Sequence, residues 1–314
     1  MSLDPRAQAV LTRRAESGVP PYYALPVVQA REVYRRLSKL AGPQESVAKI
    51  EVSSQNVGAN PCGRSGGQVQ DLPLPQIIEM IQIEHYIIPT SDSRIALRAY
   101  TPDNPPHHPL PGVMFFHGGG FVMRDLEMYD ALCRTLANRT QAIVAAVEYR
   151  LAPEYPFPTA PEDCYAATAW VAAHATELGT DGTHIAVMGD SAGATLATVV
   201  ALMARERHGP ALIQQVLIYP MLDSTLSSAS MREFAELGPL VFDDFVWFYR
   251  HYLPSQPDGA YPYASPLQAR SLNDLPATFI VTGECDPLRD ADSITIADAN
   301  NIAMVTTGVR HFRH

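Results

Sequence analysis

The chain is poor in cross-linking chemistry, poor in cationic charge and without long apolar runs. Its four cysteines, Cys62, Cys133, Cys164 and Cys285, are widely separated and form no C-x-x-C pair. Neither a zinc site nor a redox motif is therefore expected, and four reduced thiols are. Lys and Arg total 23 against 33 Asp and Glu, a net charge of −10, which argues against a nucleic-acid surface. No stretch approaches the roughly 18 apolar residues of a membrane-spanning helix, and Met1-Ser2-Leu3-Asp4-Pro5-Arg6 holds no apolar signal core. These absences lead to the expectation of a cytoplasmic protein with no nucleic-acid partner and no stable membrane insertion. A homodimer stays open.

What remains is ordinary globular material: 314 residues, 46% hydrophobic and 18% charged. A chain of this size buries roughly 70–75% of its unfolded surface and needs no metal or disulfide to fold. Its organisation changes along its length. Residues 5–42 carry helical periodicity broken at Pro20-Pro21, with Val28, Val33, Leu37 and Leu40 recurring at helical spacing, and read as a separate helical element. Residues 51–82, rich in Ser, Gln, Asn, Gly and Pro, read as a linker or insertion. From 83 to 220 the pattern is that of an α/β core. Ile87-Ile88 and Ile95-Ala96-Leu97 predict two strands joined by a turn at Thr90-Ser91-Asp92-Ser93. Short apolar runs at 112–116, 142–147, 184–188, 214–218 and 277–282 predict a parallel sheet, with helices near 126–138, 161–176 and 192–206. Residues 221–265 interrupt the alternation, and aromatics from Phe234 to Tyr252 crowd one segment. Such residues are more often core than ligand box, yet an insertion of this kind can also roof a pocket. Residues 266–314 complete the core in shortened form.

Two motifs carry chemistry. His184-Ile185-Ala186-Val187-Met188 reads as a buried strand, and the run from Ala194 to Ala204 as a helix. Between them stands Gly189-Asp190-Ser191-Ala192-Gly193, a G-x-S-x-G in the strand-to-helix context that exposes a serine hydroxyl. An ordinary N-cap serine would satisfy the pentapeptide alone. The second motif lowers that reading: the strand 112–116 ends in His117-Gly118-Gly119-Gly120-Phe121. Consecutive glycines suit a backbone that turns its N–H groups toward an oxyanion, completed by the N–H after the nucleophile, that of Ala192. His117 reads as a brace for this loop rather than a general base.

With these motifs the chain resembles the hormone-sensitive-lipase-like family of α/β-hydrolase esterases, the group of bacterial carboxylesterases and arylacetamide deacetylase. The resemblance also rests on Glu148-Tyr149-Arg150-Leu151-Ala152-Pro153-Glu154, Pro158-Thr159-Ala160, Tyr219-Pro220 and Asp286-Pro287-Leu288-Arg289-Asp290, in order across residues 83–290. It implies an eight-stranded core, a cap built from 1–50 and 221–265, and cofactor-free hydrolysis of short- to medium-chain acyl esters. The implied oxyanion donors are Gly119, Gly120 and Ala192. Arg150 and Glu154 are implied to form ion pairs in a loop beside the site. Phe121, Tyr219 and Phe242 are the candidate pocket residues.

An α/β-hydrolase orders its triad Ser, acid, His along the chain. Asp286, following the strand 277–282, takes the family's acid position over its neighbours Glu284 and Asp290. Only His311 and His314 of the ten histidines follow it. Gly308-Val309-Arg310-His311-Phe312 is a shortened form of the family's Gly-x-x-His-x-Phe loop, which implies His311 as the base. Two readings of this tail compete: an abbreviated last crossover that presents His311, or an aberrant segment after about Asp290 that has lost the base. The expected function is a serine carboxylesterase working through an acyl-enzyme. Its rival is a non-catalytic small-molecule binder on the same fold, and lyase or amidase chemistry would leave the same motifs.

Overall fold

The computed structural model describes residues 18–41, 82–105, 108–236, 240–255, 259–291 and 302–307. Most of the 51–82 segment, and His311 with the other residues after 307, lie outside the described residues.

The alternating runs at the start of the core pair as Gln82–Pro89 (β1) and Arg94–Thr101 (β2). Their turn is closed by the Thr90 N–H donating to Ser93 O at 2.9 Å. β2 also runs antiparallel to Ile143–Glu148 (β4). The remaining strands, Leu110–Phe116 (β3), Thr180–Asp190 (β5), Leu212–Ile218 (β6), Ala277–Gly283 (β7) and Ile302–Thr307 (β8), continue in parallel, in the order β1-β2-β4-β3-β5-β6-β7-β8. β4 is buried through Val147, as a strand covered on both faces should be, and its sequence Ile-Val-Ala-Ala-Val shows no polar alternation. β1 is mostly exposed or half-buried, as befits an edge. β8 is the one strand absent from the sequence-based expectations. Its short run Ile302-Ala303-Met304-Val305 is not distinguishable by periodicity from a turn of buried helix, and only pairing with β7 decides it.

Helices cover the sheet. Val27–Ala41 (α1) precedes it; Leu126–Thr140 (α2) is capped by the Asp125 carboxylate accepting from Met128 N–H at 3.2 Å. The predicted helix 161–176 is Thr159–Ala173 (α3) followed by the single turn Ala175–Leu178 (α4), which stops at Gly179 with φ +70°. Ala192–Glu206 (α5) is buried from Ala192 to Ala204, which explains its lack of a polar stripe. Ala229–Phe234 (α6) and Phe242–Tyr252 (α7) lie in the aromatic segment. Phe245, Phe248, Tyr249 and Tyr252 join one apolar cluster with Met114, Phe116 and Val147 of the sheet, so this segment is core before it is anything else. Phe242 departs from them and is 39% exposed. α7 also meets the N-terminal segment, where the Tyr23 N–H donates to Asp244 Oδ1 at 3.3 Å.

Candidate active site

Ser191 stands between the last residue of β5 and the first of α5, with φ +52° and ψ −121°. A non-glycine residue in this region costs about 1–3 kcal/mol, and the surrounding bonds must hold it there. The Ser191 N–H donates to Ile218 O at 2.8 Å, and its carbonyl accepts from Ala194 and Thr195 at 3.0 and 3.1 Å. The motif's glycines are a packing requirement. A Cβ on Gly193 would stand 2.0 Å from Phe116 O, and one on Gly189 would stand 2.4 Å from the Gly193 carbonyl carbon. Only bare backbone lets β3, β5 and α5 converge beneath the serine.

The glycine loop leaves the end of β3 beside this turn. Gly119 and Gly120 have φ of +118° and +62°, and the Gly119 carbonyl accepts from Val122 and Met123 at 3.1 and 2.9 Å, folding the loop back. The Gly118 N–H is engaged by Asp190 Oδ1 at 2.9 Å and by the Tyr129 hydroxyl at 3.1 Å. Among the described residues, no acceptor takes the N–H of Gly119, Gly120 or Ala192. His117 is fully buried, donates from Nδ1 to Gly118 O at 2.7 Å and stacks on Tyr149 at 4.3 Å. Burial pushes its pKa down to about 4. The Tyr149 hydroxyl donates to His117 O at 2.6 Å, so this pair supports the loop from below.

Asp190 anchors the glycine loop, a contact that sequence reasoning missed. It is 5% exposed, and besides Gly118 it accepts from the Tyr129 hydroxyl at 2.8 Å and from Arg124 at 3.2 Å. The available signal was a charged residue at the first variable place of G-x-S-x-G, next to a buried strand. Its partners are 61 and 66 residues away in sequence, and no local pattern points to them.

Asp286 follows β7 and is 1% exposed, with Oδ1 accepting from Leu288 N–H at 2.9 Å. Its two rivals are placed elsewhere. Glu284 is exposed, and Asp290 accepts from Ser230 N–H at 2.9 Å while pairing with Arg289. Tyr219, at the end of β6, bonds through its N–H to Val281 O at 2.7 Å. Burial first, then the charge of Asp190, holds its phenol well above the ordinary range, with Asp286 adding in the same direction. Phe121 is buried and stacks on Tyr252 at 3.9 Å. Thus Ser191, the glycine loop, Tyr219 and Asp286 gather at the carboxyl ends of β5, β3, β6 and β7, whereas Phe242, the first residue of α7, is 39% exposed. The ends of parallel strands are where open α/β sheets hold ligands.

The 148–154 loop carries both implied ion pairs, but with separate partners. Arg150 bridges Asp163 and Asp92 at 2.8 Å each, and Glu154 pairs with Arg31 of α1 at 2.8 Å. Cys133 and Cys164 are buried free thiols and Cys285 is half-buried. Among the described residues no cluster of His, Cys, Asp and Glu is arranged to hold a metal, and no helix is long and apolar enough to cross a membrane.

Comparison with known proteins agrees with this geometry. Residues 113–312 match the family model described as alpha/beta hydrolase fold. Esterase LipI of Mycobacterium tuberculosis is 40% identical over 228 residues, 71% of this chain and 70% of the relative. Carboxylesterase NlhH of the same organism is 38% identical over 224 residues, 69% of each chain. The solved hyperthermophilic esterase from the archaeon Pyrobaculum calidifontis superposes with a TM-score of 0.82 at 33% identity, covering 98% of this chain and 89% of that one. The ordered motifs, the eight-stranded sheet and these matches together make the chain a member of the hormone-sensitive-lipase-like branch of the α/β-hydrolase family.

Proposed function

We propose that the chain is a serine carboxylesterase that hydrolyses short- to medium-chain acyl esters through an acyl-enzyme, without a cofactor. The observation that carries this reading is Ser191, held at positive φ on the tip of β5 beside the unengaged amides of Gly119, Gly120 and Ala192. A serine so placed can attack an ester carbonyl while three N–H groups receive the negative charge that develops on its oxygen.

In the first step the base takes the Ser191 hydroxyl proton, Oγ bonds to the carbonyl carbon, and collapse of the tetrahedral species expels the alcohol, which takes that proton. Water then repeats the sequence on the acyl-enzyme and releases the acid. Asp286 is the orienting acid and His311 the base. Chain order supports this, and so does register: Thr307, the last residue of β8, pairs with Gly283, and His311 follows four residues later. Tyr219 and Phe121 are the pocket residues nearest these strand ends.

The test is a p-nitrophenyl ester series from acetate to dodecanoate with Ser191→Ala, Asp286→Asn and His311→Asn variants. Ser191→Ala and His311→Asn should each lower kcat by at least about 10³-fold. A Ser191→Ala protein that kept its activity would end this reading, and a His311→Asn protein that kept it would remove His311 from the base role.

A further inference from the structure

Arg124 has a left-handed backbone, φ +77°, a region that long side chains occupy at a cost of about 1–3 kcal/mol. Glycine would remove that cost, so the arginine side chain offsets it with contacts of its own. Its side chain is 13% exposed, and the guanidinium lies 3.2 Å from Asp190 Oδ2 and donates to the Tyr129 hydroxyl. Its stem runs along the oxyanion glycines, close enough that a Cβ on Gly119 would stand 3.0 Å from Arg124 Cγ. On the other side the guanidinium carbon sits 4.9 Å from the ring centroid of Tyr34, a residue of α1. One side chain therefore touches the loop, the carboxylate that anchors the loop, and the N-terminal helix.

The electrostatics give this contact a role. Asp190 is the residue before the nucleophile, and its buried charge would oppose the oxyanion forming on neighbouring amides in a poorly solvated site. An unpaired carboxylate there would also tend to draw in water or reorient, releasing Gly118. Arg124 supplies the opposite charge and leaves the two Asp190 oxygens as fixed acceptors for Gly118 N–H and the Tyr129 hydroxyl.

We propose that Arg124 is a positioning residue for the reaction: by pairing with Asp190 it keeps the oxyanion loop in shape, and through Tyr34 it makes that shape depend on docking of α1. This rests on the reading of Gly119 and Gly120 as oxyanion donors.

The experiment combines steady-state kinetics on p-nitrophenyl butyrate with amide hydrogen exchange over residues 117–123. Arg124→Met should lower kcat about 10- to 100-fold with KM within about twofold, because the loss falls on the transition state. Arg124→Lys should recover part of this. Arg124→Met/Asp190→Asn should be faster than Arg124→Met, since no buried unpaired carboxylate remains while the carboxamide oxygen introduced in place of the carboxylate can still accept from Gly118. Exchange over 117–123 should accelerate in Arg124→Met and in Tyr34→Leu, but not in Tyr34→Phe, which keeps the ring. Exchange needs no working base, so a chain without esterase activity would refute the proposed function while this arm still decides the present inference. Should Arg124→Met fail to fold, the double variant and the Tyr34 pair carry the test. Wild-type kcat and exchange in Arg124→Met, or a folded double variant no faster than the single one, would overturn the role of Arg124. Unchanged exchange over 117–123 in Tyr34→Leu would overturn the dependence on α1.

Discussion

His117 is buried at the end of β3, and its Nε2 has no hydrogen-bond partner among the described residues. A neutral imidazole tolerates that environment and a charged one does not, which is the cause of its low pKa, about 4 against 6.5 in the open chain. The unfolded state therefore binds a proton between these values and the folded state does not. Stability from this residue is fully present above pH 6.5 and is lost as pH falls toward 4, by about 3 kcal/mol in all. His117→Asn should flatten the acid limb of stability between pH 7 and 4.5, measured by urea unfolding at a series of pH values. An unchanged limb would show that carboxylates alone set it. The role of His117 as a brace was legible from its place before three glycines. The Asp190–Arg124 pair was not, because an ion pair spanning 66 residues leaves no spacing in the sequence, and a non-glycine residue at positive φ leaves none either.

At the scale of an element, α7 is fastened to the glycine loop by its last residue. Tyr252 stacks on Phe121 at 9° between ring planes and meets Phe157 edge-on, while its hydroxyl is buried with no partner among the described residues. The ring stabilises and the hydroxyl costs, so two substitutions should separate them. Tyr252→Phe should raise stability by about 1 kcal/mol, and Tyr252→Ala should lower it by about 3–5 kcal/mol, both read from denaturant midpoints at constant slope. A destabilised Tyr252→Phe would mean that the hydroxyl has a water partner. Elements with a strong local period, such as β1, β2 and α2, were legible within a few residues. The aromatics of α7 were legible as apolar but not as to what they face: Phe248 and Phe242 are both phenylalanines of one helix, yet a Cβ on Gly120 would strike the ring of Phe248 at 2.3 Å whereas Phe242 is open to solvent. Direction around this helix is settled by tertiary packing, because the unbroken apolar run Phe245 to Tyr249 spans more than one turn and so marks no single face.

Across the whole molecule, the sheet and α1 draw on apolar burial and on polar ties in different proportions. The sheet shares one apolar cluster with α5 and α7; among its described side chains α1 adds to that cluster the small Ala30, with Val27 and Tyr34 against it, and is further tied down by Arg31 and Arg35. Arg31 donates from Nε to Val122 O at 2.7 Å and from Nη2 to Ala152 O at 2.8 Å, and clasps Glu154 with both Nη atoms. With Glu154 half exposed, solvent screening limits this clasp to about 1 kcal/mol or less. Val122 follows the oxyanion loop directly, so undocking α1 would disturb the loop while leaving the sheet intact, as low-stability segments commonly do. Esterase activity in urea should accordingly be lost below the midpoint of the far-UV circular dichroism transition. Arg31→Gln should move the activity midpoint to lower urea without moving the circular dichroism midpoint. If the two transitions coincide in wild type and shift together in the variant, α1 and the sheet unfold as one unit, and the oxyanion loop is then no more fragile than the strand that ends in it.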